Sequence, residues 1–246
     1  MQNCDAEFYP VSGKDRKGIV TKLMVAVICT ALLVLLGIRV YGWQSQQHQM
    51  EDLALVNPWN SVDTVGYSPR LRGVGNGMEM DRRCVDALKD MLADCEAAGN
   101  SPVIFSAYHS REMQQQLYES RVQQLIGAGT EAETAQELAA REVARPGESE
   151  HELGLAVDIV DGDYQSLDTA QANTATQKWL MDNSWRYGFI LRYPDGSEEI
   201  TGYVYEPWHY RYVGESAAEQ IYLLGITLEE YLGMFYGEEA KIIFEG

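Results

Sequence analysis

Ser149-Glu150-His151-Glu152-Leu153-Gly154-Leu155-Ala156-Val157-Asp158 is the run around which the chain is organised, and Glu206-Pro207-Trp208-His209 completes it. In the first run, Gly154 permits a turn with positive φ before an apolar segment. This segment predicts a strand, in which Asp158 shares one face with Ala156 because strand side chains alternate. An apolar strand rarely buries a carboxylate that has no partner. Asp158 therefore indicates a binding role.

Two imidazoles and one carboxylate in these runs predict a mononuclear zinc site. His151 and His209 offer neutral nitrogen ligands, and Asp158 offers an oxygen. Three protein ligands of this kind leave the fourth tetrahedral position for water, which is the arrangement of catalytic zinc. Glu206, three residues before His209, is the candidate general base. The residues alone leave a second interpretation open, in which each histidine is solvated or hydrogen-bonded and binds no metal.

The spacing of Glu206 and His209 requires a local distortion of the backbone. The two residues are an odd number of positions apart, so a regular strand would point them to opposite faces. Pro207 lies between them, removes a ladder donor and fixes φ. A pocket shared by Glu206 and His209 therefore needs a kink at this proline.

The motif Ser-x-His-x-x-Gly-x-Ala-x-Asp, followed by Glu-x-Trp-His, resembles the zinc D-alanyl-D-alanine metallopeptidases, within the superfamily of the lysostaphin-like enzymes and the hedgehog domain. The surrounding residues, roughly 78–213, look like the VanY-type D,D-carboxypeptidases. The runs that carry this likeness are 146–151, 187–194 and 201–212. The resemblance implies one Zn²⁺ per domain, held by His151, Asp158 and His209, with Glu206 as the catalytic base.

The activity that this resemblance implies is removal of the terminal D-Ala from peptidoglycan stem peptides that end in D-Ala-D-Ala. A zinc-bound water has its pKa lowered toward 7, and Glu206 would take its proton and pass it to the departing amine. Two alternatives stay open. One is a peptidoglycan endopeptidase of the same superfamily, and the other is a non-catalytic, zinc-stabilised binding domain, which would not need Glu206.

Substrate contacts are predicted from the same resemblance. Ser149, in the metal motif, and Gln114, in an upstream Ser-x-Tyr-x-Ser-x-x-x-Gln motif, are candidates to hold the substrate's carboxylate. After the tyrosine of that motif the family has an arginine that is expected to stabilise the oxyanion, whereas this chain has His109. A neutral imidazole lacks the charge and the fork of guanidinium. His109 and the nearby Arg111 are the candidates for this catalytic role, and a loop residue without a role is the alternative for His109.

The N-terminal region predicts a membrane anchor. Residues 1–22 are polar and basic and predict a cytoplasmic tail, and residues 23–43 provide about 20 residues for a transmembrane signal anchor across a bilayer core of about 30 Å. The positive-inside rule places the N-terminus in the cytoplasm and the domain outside the cell membrane. A cleaved signal peptide is the alternative. Residues 44–77 predict a linker and lead-in segment, and residues 78–246 predict the extracellular zinc D,D-carboxypeptidase domain.

Acidic residues are concentrated in the part of the chain that follows the predicted anchor. Residues 1–43 carry five Lys/Arg and three Asp/Glu, whereas residues 44–246 carry fourteen and thirty-four. Such an acidic domain argues against nucleic acid and anionic lipid as partners.

Helices and strands mix without βαβ alternation, which favours an α+β fold with a mainly antiparallel sheet flanked by helices. The predicted helices cover 81–98, 110–126, 130–145, 174–184, 216–224 and 228–235, and the predicted strands cover 102–107, 156–160, 189–193, 202–205 and 208–213.

Overall fold

The computed structural model describes residues 13–237 and divides the chain into two units, Met1–His48 and Gln49–Gly246. The helices are α1 (Gly13–Asp52), α2 (Val62–Val65), α3 (Val85–Ala97), α4 (Arg111–Gly127), α5 (Ala132–Glu142), α6 (Ala175–Asn183), α7 (Glu198–Thr201), α8 (Glu215–Leu224) and α9 (Leu228–Phe235). The strands are β1 (Leu71–Gly75), β2 (Met78–Asp81), β3 (Pro102–Ser106), β4 (Ala156–Asp161), β5 (Phe189–Leu191) and β6 (His209–Tyr212). Short 3-10 helices cover Glu150–Leu153, Thr169–Asn173 and Ser184–Tyr187.

Helix α1 contains an apolar stretch, Lys22–Val40, that is long enough and apolar enough to cross a membrane. The side chains described there are exposed. Residues 1–12 of the predicted cytoplasmic tail lie outside the described residues.

A four-stranded antiparallel sheet organises the second unit, in the order β3-β4-β6-β5. This confirms the predicted α+β class with an antiparallel sheet. In the central ladder, Val157 pairs with Tyr210 and Asp158 pairs with His209. Because side chains alternate along each strand, these two pairs lie on opposite faces of the sheet.

One face of the sheet is apolar and holds the main core. Val157, Ile159, Phe189 and Tyr210 are fully buried there, against side chains of α3 and α6. This apolar packing fixes the register of β4 and β6, since a slip of one residue would exchange the two faces. Asp158 and His209 are thereby directed to the other, polar face.

A second core lies at the β5 edge, where α8 and α9 pack around Ile190. Leu53 belongs to this core, and Ala54 and Val56 belong to the main one. The predicted linker, residues 44–77, therefore contributes buried residues to the domain. It also contains β1, and the predicted boundary at residue 78 falls inside the β1–β2 hairpin. The turn at Asn76-Gly77, with positive φ at both residues, is a usual hairpin connection.

Three element predictions need correction. The helix predicted from residue 81 begins at Val85, because Asp81 ends β2 and its carboxylate accepts hydrogen bonds from the Arg70 and Arg83 amides. The helix predicted over 130–145 is shorter and covers Ala132–Glu142, since the side chain of Glu131 caps its N-terminus. Residues 202–205, predicted as a strand, form irregular backbone after α7.

Candidate metal centre and active site

The two central strands and the 3-10 helix before β4 bring the predicted ligands together. His151 lies on the 3-10 helix, and Gly154 ends this helix with a φ of 67°. A side chain at Gly154 would also lie 2.9 Å from the Asp81 amide nitrogen. Gly154 is thus needed both for its φ and for close packing on the β1–β2 hairpin.

His151, Asp158 and His209 form a compact metal-binding group. Their candidate ligand atoms lie within 4.8 Å of one another. Asp158 Oδ1 lies 3.4 Å from His151 Nε2 and 3.1 Å from His209 Nδ1. The carboxylate therefore faces a nitrogen of each imidazole.

The two imidazoles present different nitrogens to this group. His151 Nδ1 donates to the carbonyl of Ala107 at 2.5 Å, which leaves its Nε2 lone pair toward Asp158. His209 has the opposite orientation, with Nδ1 toward Asp158. A hydrogen bond at the outer nitrogen is the usual way in which a protein sets the tautomer of a metal-binding histidine.

The group fits a zinc ion. Asp158 Oδ1 is buried and has no hydrogen-bond partner, although an unpartnered buried carboxylate oxygen is costly. Burial alone would raise the pKa of Asp158, but His151 and His209 lower it well below its usual value, so the group stays anionic. Two imidazole nitrogens and one anionic oxygen are a ligand set that zinc prefers.

Glu206 lies beside this group because the chain turns at Pro207. The His209 amide donates to the Glu206 carbonyl at 3.1 Å, and Glu206 Oε2 lies 3.5 Å from His209 Nδ1. The predicted kink is therefore confirmed. Burial is the main reason that the pKa of Glu206 rises to about 8. A cation bound nearby would lower this pKa, so the Glu206 carboxyl can exchange a proton near neutral pH.

A cavity of about 880 Å³ opens onto these residues. Its lining includes seven of the eight predicted site residues: His109, Gln114, Ser149, His151, Asp158, Glu206 and His209. A volume of this size can hold a short peptide.

The family model for VanY, D-alanyl-D-alanine carboxypeptidase, matches residues 77–215. The chain belongs to the VanY family. A D-alanyl-D-alanine carboxypeptidase of Enterococcus faecalis is 41% identical over 181 residues, which are 73% of this chain and 65% of that protein. The chain spans 65%, 52% and 46% of the length of three curated relatives, so its match to each is partial.

Two solved VanY-family structures share the fold. One is a point mutant of the vancomycin-resistance D,D-pentapeptidase VanY, in complex with Zn(II), with 41% identity and a TM-score of 0.67 over 74% of this chain and 99% of that one. The other is VanYB in complex with D-alanine-D-alanine, with 40% identity and a TM-score of 0.68 over 75% and 98% of the two chains. The zinc and the dipeptide are those of the relatives.

The structure assigns His109 a different place from the one that we predicted in this VanY-family site. Gln114 Nε2 donates to the Ala144 carbonyl, so Gln114 Oε1 accepts from His109 Nδ1 at 2.9 Å. His109 Nε2 then accepts from the Ser106 hydroxyl at 2.6 Å. Burial and the neighbouring His151 lower the pKa of His109 to about 4, so the ring is neutral. With both nitrogens engaged, His109 has no donor for an oxyanion.

His109 instead supports a metal-binding residue. Its ring stacks on His151, with centroids 4.4 Å apart and planes at 17°. Gln114 holds His109 in place, with its Oε1 on His109 and one of its two Nε2 hydrogens on the Ala144 carbonyl. Gln114 also lines the cavity, and its contact with substrate stays a prediction.

Arg111 lies outside the cavity lining and is engaged elsewhere. Its guanidinium donates to both carboxylate oxygens of Asp63 at 2.9 Å and to Glu152 Oε2 at 3.1 Å. Glu152 also accepts from the Gly147 amide, so these contacts secure the loop before His151. The prediction that Arg111 is catalytic is not supported by this geometry.

Three buried charged residues beside the site were not predicted: Glu150, Arg192 and Arg211, each fully buried. A signal for Arg211 was present, because it lies two residues after His209 and shares its face of β6. Glu150 gave no signal, since a glutamate in an acidic segment is typical of a solvated surface.

Proposed function

We propose that the protein is a membrane-anchored, zinc-dependent D,D-carboxypeptidase that removes the terminal D-Ala from peptidoglycan stem peptides. The observation that carries the proposal is the convergence of Asp158, two imidazoles and Glu206 at one cavity. Membership of the VanY family supports the reaction and the substrate. Glu206 favours an enzyme over a binding domain, because a structural metal site needs no base.

The proposed mechanism assigns Glu206 to proton transfer. Zinc held by His151, Asp158 and His209 would supply Lewis-acid activation of water and of the peptide carbonyl. Glu206 accepts a proton from the attacking water at its carboxylate, and then donates it to the amine of the departing D-Ala. Burial keeps bulk water away from this carboxylate, so the proton remains available for the leaving group.

Ser149 is the proposed contact for the substrate's C-terminal carboxylate. It is buried, lines the cavity and lies two residues before His151 on the chain. Its hydroxyl can donate one hydrogen bond to a carboxylate oxygen. His109 acts behind this contact, through the ring of His151.

The apolar stretch of α1 is the proposed anchor, as one membrane span with the N-terminus in the cytoplasm and the domain outside. Its length suits a bilayer core of about 30 Å, and the preceding basic residues favour this orientation. Such an orientation would put the cavity on the side of the membrane where peptidoglycan lies. Protease digestion of intact cells tests the proposal, since an external domain is degraded without lysis.

The activity test uses the full chain in detergent, loaded with zinc, and a synthetic pentapeptide that ends in D-Ala-D-Ala. We expect release of one D-Ala, detected by mass spectrometry, and its loss after chelation. A tetrapeptide and a cross-linked peptide dimer serve as the matched substrates. Cleavage of the dimer alone would indicate the endopeptidase, and zinc-loaded protein that leaves every peptide intact would indicate the binding domain.

A further inference from the structure

A fully buried carboxylate, Glu150, lies behind the metal-binding group. Its Oε1 accepts hydrogen bonds from Arg192 Nε at 2.8 Å and from Arg211 Nη1 at 2.7 Å. Its Oε2 has no hydrogen-bond partner and faces His209 Nε2 at 3.7 Å. His209 Nε2 is also buried and without a hydrogen-bond partner. These two unpartnered atoms therefore face each other.

We propose that Glu150 is a positioning residue, which holds the Nε2–H proton of His209 and so directs the Nδ1 lone pair toward the metal. A neutral imidazole carries one proton, and a proton on one nitrogen leaves the other nitrogen free as a ligand. His209 Nδ1 is the nitrogen that faces Asp158. This inference rests on the proposed metal role of His209.

The surroundings of Glu150 fix the direction of its carboxylate. Arg192 also donates to both oxygens of Glu229, at 2.9 and 2.7 Å, and Arg211 donates to the carbonyls of Asp52 and Ala54, at 2.9 and 2.8 Å. Two guanidinium groups held in this way keep Oε1 on their side, so Oε2 can only point toward His209. A supporting carboxylate with locked neighbours is the arrangement that gives a metal ligand a defined orientation.

Glu150 also connects the two segments that carry histidine ligands. It precedes His151 in the chain, and its partner Arg211 lies two residues after His209 on β6. The position of the 3-10 helix against β6 is therefore set partly by this one carboxylate. A merely structural role, in which Glu150 only neutralises two buried arginines, is the competing explanation.

Glu150→Gln separates the two explanations, because the glutamine side chain has the size of glutamate but carries an NH₂ donor in place of one carboxylate oxygen. Guanidinium groups only donate, so the amide oxygen would stay with Arg192 and Arg211, and the NH₂ group would face His209 Nε2. A donor at this place favours the tautomer with the proton on Nδ1, where it blocks the metal. We expect zinc affinity to fall about 10- to 100-fold, measured by chelator competition on the full chain in detergent.

Glu229→Gln is the matched control. It removes the other carboxylate partner of Arg192 without touching His209. We expect both variants to lose thermal stability, but only Glu150→Gln to lose zinc affinity. Equal zinc affinity in the wild type and in Glu150→Gln would overturn the positioning role. In that case, D-Ala release by the wild type would still support the proposed function. If the wild type bound zinc normally but released no D-Ala, only the proposed activity would be refuted.

Nitrogen NMR of the zinc-loaded wild type tests the proposal even if Glu150→Gln does not fold. With ¹⁵N-labelled histidine, His209 should show a protonated Nε2 whose proton exchanges slowly with solvent. A His209 that binds zinc through Nε2, or whose Nε2 proton exchanges at the rate of a solvated imidazole, would overturn the proposal.

Discussion

Two buried polar clusters share one face of the sheet, and they differ in how their atoms are paired. The arginine network consists of Glu150, Arg192, Arg211 and Glu229. Every side-chain nitrogen of its two arginines has a hydrogen-bond acceptor, and its unpartnered atom is Glu150 Oε2, on the side of the metal group. The metal group consists of His151, Asp158 and His209, and it leaves Asp158 Oδ1 and His209 Nε2 without partners.

This difference shows which charges are balanced within the protein. Buried polar groups in native structures are almost always hydrogen-bonded, so an unpartnered atom needs an explanation. In the arginine network the charges neutralise one another. In the metal group, the unpartnered oxygen lies between two imidazoles, where a cation would be its partner. Apart from Glu150, which faces His209 and so connects the two clusters, substitutions in the metal group should therefore change turnover and metal affinity, whereas substitutions in the arginine network should lower stability.

The largest effect is expected at Glu206, on the metal-group side. Glu206→Gln removes the proton acceptor but no proposed ligand, so kcat should fall about 10²- to 10⁴-fold while zinc affinity is maintained. D-Ala release and chelator competition measure the two quantities. Glu198→Gln, in the lining of the same cavity, is the control and should retain activity. A Glu206→Gln variant with most of its rate would remove Glu206 from the mechanism.

Arg211→Met tests the arginine network. It leaves Glu150 with a single guanidinium and the carbonyls of Asp52 and Ala54 without this donor. Breaking a buried ion pair on one side costs about 3–5 kcal/mol, so the free energy of unfolding in urea should fall by about this amount. The control is Arg72→Met, whose exposed pair with Asp86 should contribute at most about 1 kcal/mol. Equal losses in the two variants would contradict the comparison.

The zinc affinity of the metal group should depend on pH. Burial alone would lower the pKa of His209, but Asp158 and Glu150 raise it to about 10. Below this pH the zinc-free group holds a proton that zinc must displace. Affinity should therefore rise with pH, by about tenfold for each unit where one proton is released. Chelator competition at pH 6.5, 7.5 and 8.5 checks the slope, and a flat profile would indicate that His209 is not a ligand.

The smallest effect is expected at His109, which contacts His151 but no reacting atom. His109→Ala removes the stacked ring and should lower kcat/KM by less than about tenfold, because its role is to hold His151 and not to stabilise charge. Steady-state kinetics with the pentapeptide measure it. A loss of more than about 100-fold with unchanged zinc affinity would restore the oxyanion role that the sequence predicted.

The sequence predicted the parts of the site that depend on local pattern. Asp158 was identified because a carboxylate interrupts an apolar strand, and the kink at Pro207 followed from spacing. The contact of Arg111 with Asp63 was not predicted, because the two residues lie far apart in the chain and no local pattern connects them. Strand β1 was missed because its two glycines weaken the alternation that marks a strand.

The carbonyls that Arg211 holds determine where a soluble fragment of this protein can begin. A fragment starting at residue 78 would lack Leu53, strand β1 and the two carbonyls that accept from Arg211 Nη2, and would expose apolar surface beside a buried guanidinium that has lost two of its acceptors. Beginning at Gln49 retains all of them. Screening of expression fragments should therefore treat residues 50–56 as part of the domain that holds the metal group, although residues 50–52 still belong to α1.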